Sequence, residues 1–289
     1  MTQGESPTVG RLLLGIRLRE VRQRKGVSAE EAADHITRAA SAITRFEKGR
    51  TSVPATVLHK LLDLYDVNPE ERDALTRLAR RSRKRGWWHQ FGDVLPMGFE
   101  TYIGLESEAR ELRNYECQVV PGLLQTERYA EALMRAEPHL ATEEEAGRRV
   151  QARMARKAIL TRDEPALLYA VLDEAVLRRR VGGREVMHEQ LVHLVEQAQR
   201  RNIMIQILVN EVGAHAAMFG AFMLLSLDLG EPVLSEYAYL EHRTGSLLLD
   251  KRQETAAYRS CFDEVRGEAL DRDASVNLLA AIADEYRVE

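Results

Sequence analysis

Apolar residues recur at helical spacing through the first eighty positions of the chain, and turn signals break them into short helices. Leu14, Leu18 and Val21 form one stripe between arginines, and Gly26 stops that helix. Two short helices follow, Ser28 to Ile36 and Ala39 to Lys48, folded over a turn. Ser28 with Glu31 three residues on is a capping-box signature. Ala33 is small where two backbones must cross, and Ile43 and Phe46 point inward. Pro54 suits the first turn of a helix carrying Val57, Leu58, Leu61, Leu62 and Tyr65. Asn68, Pro69 and Glu71 open another, whose stripe is Leu75, Leu78 and Ala79. The pattern predicts an all-α five-helix domain over residues 11–80, behind a polar, mobile start.

Residues 80–88, RRSRKRGWW, break this rhythm, and a basic and aromatic linker is expected over 81–98, its tryptophans anchoring the next domain. Beyond it the spacing of Ile103, Leu105, Ala109 and Leu112 predicts a helix from Phe99 to Tyr115, with Glu106, Arg110 and Glu111 on its polar side. Thr126 caps a further helix. Thr142 and Glu145 open a long arginine-rich one to about Leu160, and a solvated or salt-bridged face is the favoured reading of its cations over a second nucleic-acid surface. The period then shortens. Ala166–Leu172, Ile203–Val209, Phe219–Leu227 and Val233–Leu240 read as strands, the last two joined by the turn DLGEP. Helical stripes at Met187–Ala198, Tyr258–Val265 and Val276–Ala283 complete the chain. The expectation for residues 99–289 is an α+β (or α/β) domain with a small sheet of about four strands packed with helices.

Charge sharpens the division. The net charge is −4, yet residues 1–85 carry 18 basic and 11 acidic side chains, against 23 and 34 in the remainder. A basic end joined to an acidic domain suggests nucleic-acid binding by the first half alone. No apolar run is long enough to span a bilayer. The start MTQGESPTVG lacks a basic, then apolar, leader, so a cytoplasmic protein, nucleoid-associated when bound to DNA, is expected. Cys117 and Cys261 match no metal or redox spacing.

Catalytic chemistry finds little support. His188 and His193 share a helix but are out of step for joint metal binding. His215 reads as a solvated loop residue and Asp173-Glu174 as a helix N-terminal pair. Ser226 and Ser235 lack a nucleophile elbow, and Gly182-Gly183 is a plain loop. No enzyme activity, cofactor or metal is expected.

The first half offers more. An outward face of short side chains, ending in cations, lets a helix approach base edges closely. Arg45 is the leading base-reading candidate, since its fork matches guanine. Ser41 and Thr44 suit base edges or phosphate, and Ala40 and Ala42 a thymine methyl. Ser28, Arg38, Lys48, Arg50, Thr51 and Ser52 are the candidates for the DNA backbone, while Glu47 is read as a brace of the fold.

The order helix, Ser-x-Glu-Glu-x-Ala, turn, Ser-x-Ile-Thr-Arg-Phe-Glu-Lys-Gly resembles the Cro/C1-type (XRE) helix-turn-helix family, most specifically at Ile43, Arg45, Glu47 and Gly49. Two departures stand out: Thr37 occupies a turn position that is usually Gly, and Ala29 replaces a frequent backbone-binding Gln. VVPGLLQTERYAEAL from Val119, Leu172 to Arg178, Met187-x-x-Gln190-Leu191 and Gly220-x-Phe222 resemble the DUF5753 domain of actinobacterial, WhiJ-like and antitoxin-like regulators. The resemblance implies a dimeric, sequence-specific transcriptional regulator on double-stranded operator DNA. Its second domain would then hold the dimer or sense a partner or ligand. It equally admits an antitoxin-like protein that sequesters a small DUF397-type partner and regulates its own operon.

Overall fold

The computed structural model describes residues 6–84, 86–96, 98–137, 142–228 and 234–287. The chain divides into two compact units between His89 and Gln90. The first is helical: α1 (Pro7–Arg24), α2 (Ala29–His35), α3 (Ala40–Glu47), α4 (Ala55–Leu64) and α5 (Pro69–Arg81). Helix α1 begins earlier than its apolar stripe suggests, because Ser6 caps it and Pro7 sits at its first position. The core gathers Leu14 and Leu18 of α1, Ala32 and Ala33 of α2, Ile43 and Phe46 of α3, Leu58, Leu61 and Leu62 of α4, and Leu75 of α5. Each large apolar side chain buried this way contributes roughly 1.5–3 kcal/mol.

Helices α1 to α4 share one ending. The residues after them, Gly26, Thr37, Gly49 and Asp66, all have positive φ (75°, 57°, 62° and 52°). In each case the next amide reaches back five residues: Val27 to Arg22, Arg38 to Ala33, Arg50 to Arg45 and Val67 to Leu62. This left-handed cap satisfies orphan carbonyls and reverses the chain sharply.

The second unit is α+β. Its strands are β1 (Glu111–Glu116), β2 (Leu167–Asp173), β3 (Ile203–Leu208), β4 (Phe222–Asp228), β5 (Leu234–His242) and β6 (Gly245–Leu249). They form one sheet in the order β3-β2-β1-β4-β5-β6. The pairs β1–β2 and β2–β3 are parallel, and the remaining three are antiparallel. The helices are α6 (Phe99–Glu106), α7 (Glu127–Arg135), α8 (Glu143–Arg156), α9 (Glu174–Arg178), α10 (Arg184–Ala198), α11 (Arg252–Glu268) and α12 (Arg272–Glu285). On one sheet face, Phe262 and Val265 of α11 pack with Tyr115, Val171 and Leu224.

The sheet has six strands, two more than the pattern predicts. The expected helix from Phe99 to Tyr115 ends at Glu106, and its second half is β1, with Leu112 and Tyr115 buried. Pairing on both sides overrides the local helical spacing there. Asn114, buried in the same strand, donates to the Phe222 carbonyl at 2.9 Å. Strand β6 is the second addition. Residues 229–233, which hold most of the expected DLGEP turn and Val233, lie outside the described residues.

Glu106 is buried rather than on a polar surface. It accepts both prongs of Arg156 at 2.7 Å, and the Arg156 guanidinium lies 5.3 Å from the Phe99 and Tyr102 ring centres. The rest of the arginine-rich helix α8 is likewise engaged internally. Arg148 pairs with Asp93, Arg149 with Glu145, and Arg153 donates to Gln125.

Candidate nucleic-acid interface

The helix pair α2–α3 is built from local signals outward. The Ser28 hydroxyl accepts the Glu31 amide at 3.0 Å, and the Ser28 amide donates to the Glu31 carboxylate at 2.7 Å, closing the capping box. Those bonds hold the Glu31 carboxyl below its ordinary range. Thr37 then supplies the left-handed turn residue, a conformation that costs a β-branched side chain roughly 1–2 kcal/mol. The turn is not distorted: the Arg38 amide still reaches the Ala33 carbonyl at 2.9 Å.

Two devices fix α3 against α1. Gly15 lies so close to the end of α3 that an added Cβ would sit 2.5 Å from the Glu47 carbonyl oxygen and 2.6 Å from that of Phe46. Beside it, Arg22 donates to both Glu47 carboxylate oxygens at 2.6 and 3.0 Å and to the Val27 carbonyl at 2.8 Å. The two side chains are only 12% and 10% exposed. The hydrogen bond to Glu47 raises the Arg22 pKa further, so the guanidinium stays charged at any working pH. Glu47 therefore braces the fold. Its partner Arg22, 25 residues away, carries no signal in the local sequence.

The outward side of α3 presents Ser41, Thr44, Arg45 and the following Lys48, all exposed, with Ala40 half-buried at its start. Arg45 donates to the Ser41 hydroxyl at 3.2 Å, which lays the guanidinium along the helix surface. Thr44 folds its hydroxyl back toward the Ala40 carbonyl at 3.5 Å. Ala42 departs from expectation: it is 4% exposed and belongs to the helical core. The turn of α3 carries it to the side shared with Ile43 and Phe46, so it has no surface for a thymine methyl.

Around this face lie Ser28, Arg38, Arg50, Thr51 and Ser52, all exposed. Among the described residues, Arg38, Lys48 and Arg50 have no acidic partner. Several other cations of the unit are paired, Arg17 with Glu20, Arg24 with Glu71, Lys25 with Asp66 and Arg72 with Asp63, whereas Arg19, Lys60, Arg77 and Arg80 are exposed and, among the described residues, also lack an acidic partner. Unpaired cations beside small polar side chains are what a phosphate backbone and a base edge require.

In the second unit the groups weighed for chemistry have structural work. Asp173 caps α9 through the Ala175 amide, and Glu174 accepts from Arg178 and the Asn210 amide. His188 contacts the Ala283 carbonyl, and His215 lies 3.4 Å from the Tyr115 hydroxyl. Burial pushes both cysteine thiols up, away from reactivity. An open groove of about 300 Å³ is lined by Arg110, Arg113, Arg259, Glu111, Asp228 and Glu236, whose charges pair with one another. Among the described residues no cluster of His, Cys, Asp or Glu is arranged to hold a metal, and no helix is long and apolar enough to cross a membrane.

Comparison with known proteins agrees with this anatomy. Residues 13–75 match a helix-turn-helix domain, and residues 99–281 match a domain of unknown function, DUF5753. No curated protein and no solved structure shows significant similarity to the chain. With its sheet-bearing unit matched almost end to end, the chain belongs to the DUF5753 family and carries a helix-turn-helix DNA-binding domain ahead of that region.

Proposed function

We propose that this protein is a sequence-specific transcriptional regulator that acts in the cytoplasm as a pair of chains on a two-fold-related operator. The observation that carries this reading is the outer face of α3. A braced helix offers Ser41, Thr44 and Arg45 at base-reading positions, and unpaired cations flank it. Arg45, with Ser41, Thr44 and Ala40, reads base edges. Ser28, Arg38, Lys48, Arg50, Thr51 and Ser52 hold the phosphates. Glu30 and Glu31 at the start of α2 keep that helix end weakly attractive to anions, so a single copy binds DNA modestly. Two half-sites read together restore affinity. The second unit, whose arginine-rich helix is engaged internally, pairs the copies and receives the regulatory input.

The test begins with genome-wide occupancy of the tagged protein, which yields the operator for binding titrations. Arg45→Ala is expected to cost about 1–3 kcal/mol at the cognate site and to relax base preference at one position. Lys48→Ala should weaken all sequences alike and lower the salt slope by about 1. Wild-type binding by both variants would remove α3 from the interface.

A further inference from the structure

The two edges of the sheet are treated differently. At the β3 edge, the Ile207 amide donates to the Ser275 hydroxyl at 3.0 Å, and the Ile207 carbonyl accepts the Leu270 amide at 2.9 Å. The junction of α11 and α12 thus closes that edge. At the other end, β6 pairs with β5 alone. Its sequence, Gly-Ser-Leu-Leu-Leu, contains no charge and no proline, the usual guards of an open edge. Gly245, Ser246 and Leu247 are exposed, and Leu247 keeps 47% of its surface.

Hairpin geometry defines what this edge offers. A two-residue turn, Arg243-Thr244, joins His242 to Gly245, so Gly245, Leu247 and Leu249 turn their amides and carbonyls toward β5. Ser246 and Leu248 turn theirs outward, where no described residue meets them.

We propose that β6 pairs antiparallel with β6 of a second copy of this chain, joining two six-stranded sheets into one. The proposal rests on the two-copy reading above and names its interface. A two-fold axis through Leu247 sets Ser246 opposite Leu248 of the second copy, and the reverse. All the outward backbone groups of both strands are then used in four hydrogen bonds. Leu247 meets Leu247 of the second copy as a close, non-hydrogen-bonded pair. The same operation brings Asp250, at the end of each β6, alongside the other copy's Arg243-Thr244 turn. Arg243, which pairs with Glu137 of its own chain at 3.5 Å, is still 62% exposed there, so a second acid reaches it at both ends. Parallel pairing offers neither the closed symmetry nor this charge match. The interface is small, so association is weak in free solution and strengthens when both copies hold one operator.

The experiment uses the full chain. Sedimentation of the wild type at rising concentration is expected to show a monomer–dimer equilibrium. Leu247→Lys, at an exposed site, should melt like wild type and remain monomeric. Ser246→Pro, which removes an outward amide and the hydroxyl beside Tyr239 but leaves the β5–β6 ladder in place, should do the same and serves if the lysine variant folds poorly. Leu247→Cys should form a reducible disulfide-linked dimer under mild oxidation. The wild type, with Cys117 and Cys261 half-buried, should not, and Ser246→Cys, which faces Leu248, should lag well behind. A dimer that survives both Leu247→Lys and Ser246→Pro, with no Leu247→Cys cross-link, overturns the β6 interface while leaving the two-copy reading intact. A wild type that stays monomeric at every concentration and on operator DNA, again with no cross-link, overturns both.

Discussion

Replacing Glu47 with Gln isolates the brace between α1 and α3. The Arg22 guanidinium makes two bonds to the Glu47 carboxylate, at 2.6 and 3.0 Å, and keeps only 12% of its side-chain surface. A solvent-exposed ion pair contributes about 0–1 kcal/mol. Removing one partner of a buried pair costs about 3–5 kcal/mol, because a charge is left uncompensated. The residual exposure places Glu47→Gln between these limits, at about 2–3 kcal/mol. Arg22 cannot relieve the loss by deprotonating, since its pKa starts high. Urea-dependent hydrogen exchange of the α1 and α3 amides reads the right unit. The double variant Arg22→Met, Glu47→Leu should recover most of the stability, giving a coupling of about 2 kcal/mol in a mutant cycle. DNA binding supplies an independent sign. Glu47→Gln makes the domain more positive, so charge alone predicts tighter binding, whereas a loosened α3 predicts weaker and less selective binding. A loss below about 0.5 kcal/mol, or tighter binding to the operator, would refute the brace.

The remaining predictions concern packing and pH. Gly15→Ala sets a methyl 2.5 Å from the Glu47 carbonyl oxygen and should destabilise the helical unit by about 1–3 kcal/mol; unchanged urea stability would mean that α1 and α3 do not cross this closely. Glu116, half-buried at the end of β1, has its pKa pushed up to about 8, first by burial and then by the Glu241 charge. An acid whose folded pKa exceeds its unfolded value destabilises the fold as pH rises between the two, here from about 4.5 to about 8. Glu116→Gln should therefore raise stability at pH 8 by about 1–3 kcal/mol, leave it unchanged near pH 4, and flatten the slope between. A thermal-melt series across that range with parallel curves for both proteins would contradict this.

The helical half was largely legible because its determinants are local. Ser28 with Glu31 and Asn68 with Glu71 form the caps that their spacing announces, and every predicted apolar stripe faces the core. Ala42 was misplaced because one residue of a short helix can turn either way until the neighbouring helix is positioned. In the second half, β1 was hidden by a coincidence: Leu105, Ala109 and Leu112 keep a helical spacing although the helix ends at Glu106. Its strand character comes from β2 and β4, which lie far along the chain. The Glu106–Arg156 pair spans 50 residues, and no local spacing could foretell that this carboxylate lies inside. Strand β6 is only five residues long and lacks the alternation that marks a half-buried strand.

The position of β1 also sets an order of events during synthesis. It is the first strand made, yet it lies between β2 and β4, and Asn114 must await a carbonyl 108 residues downstream. Contacts of that range close slowly and cannot form until most of the chain has left the ribosome. The helical unit, whose helices are joined by short turns, has every partner it needs by about residue 81. The half that carries the helix-turn-helix is therefore complete while the sheet is still waiting for its central neighbour, and a nascent or truncated chain should hold a folded helix-turn-helix domain before the second unit exists.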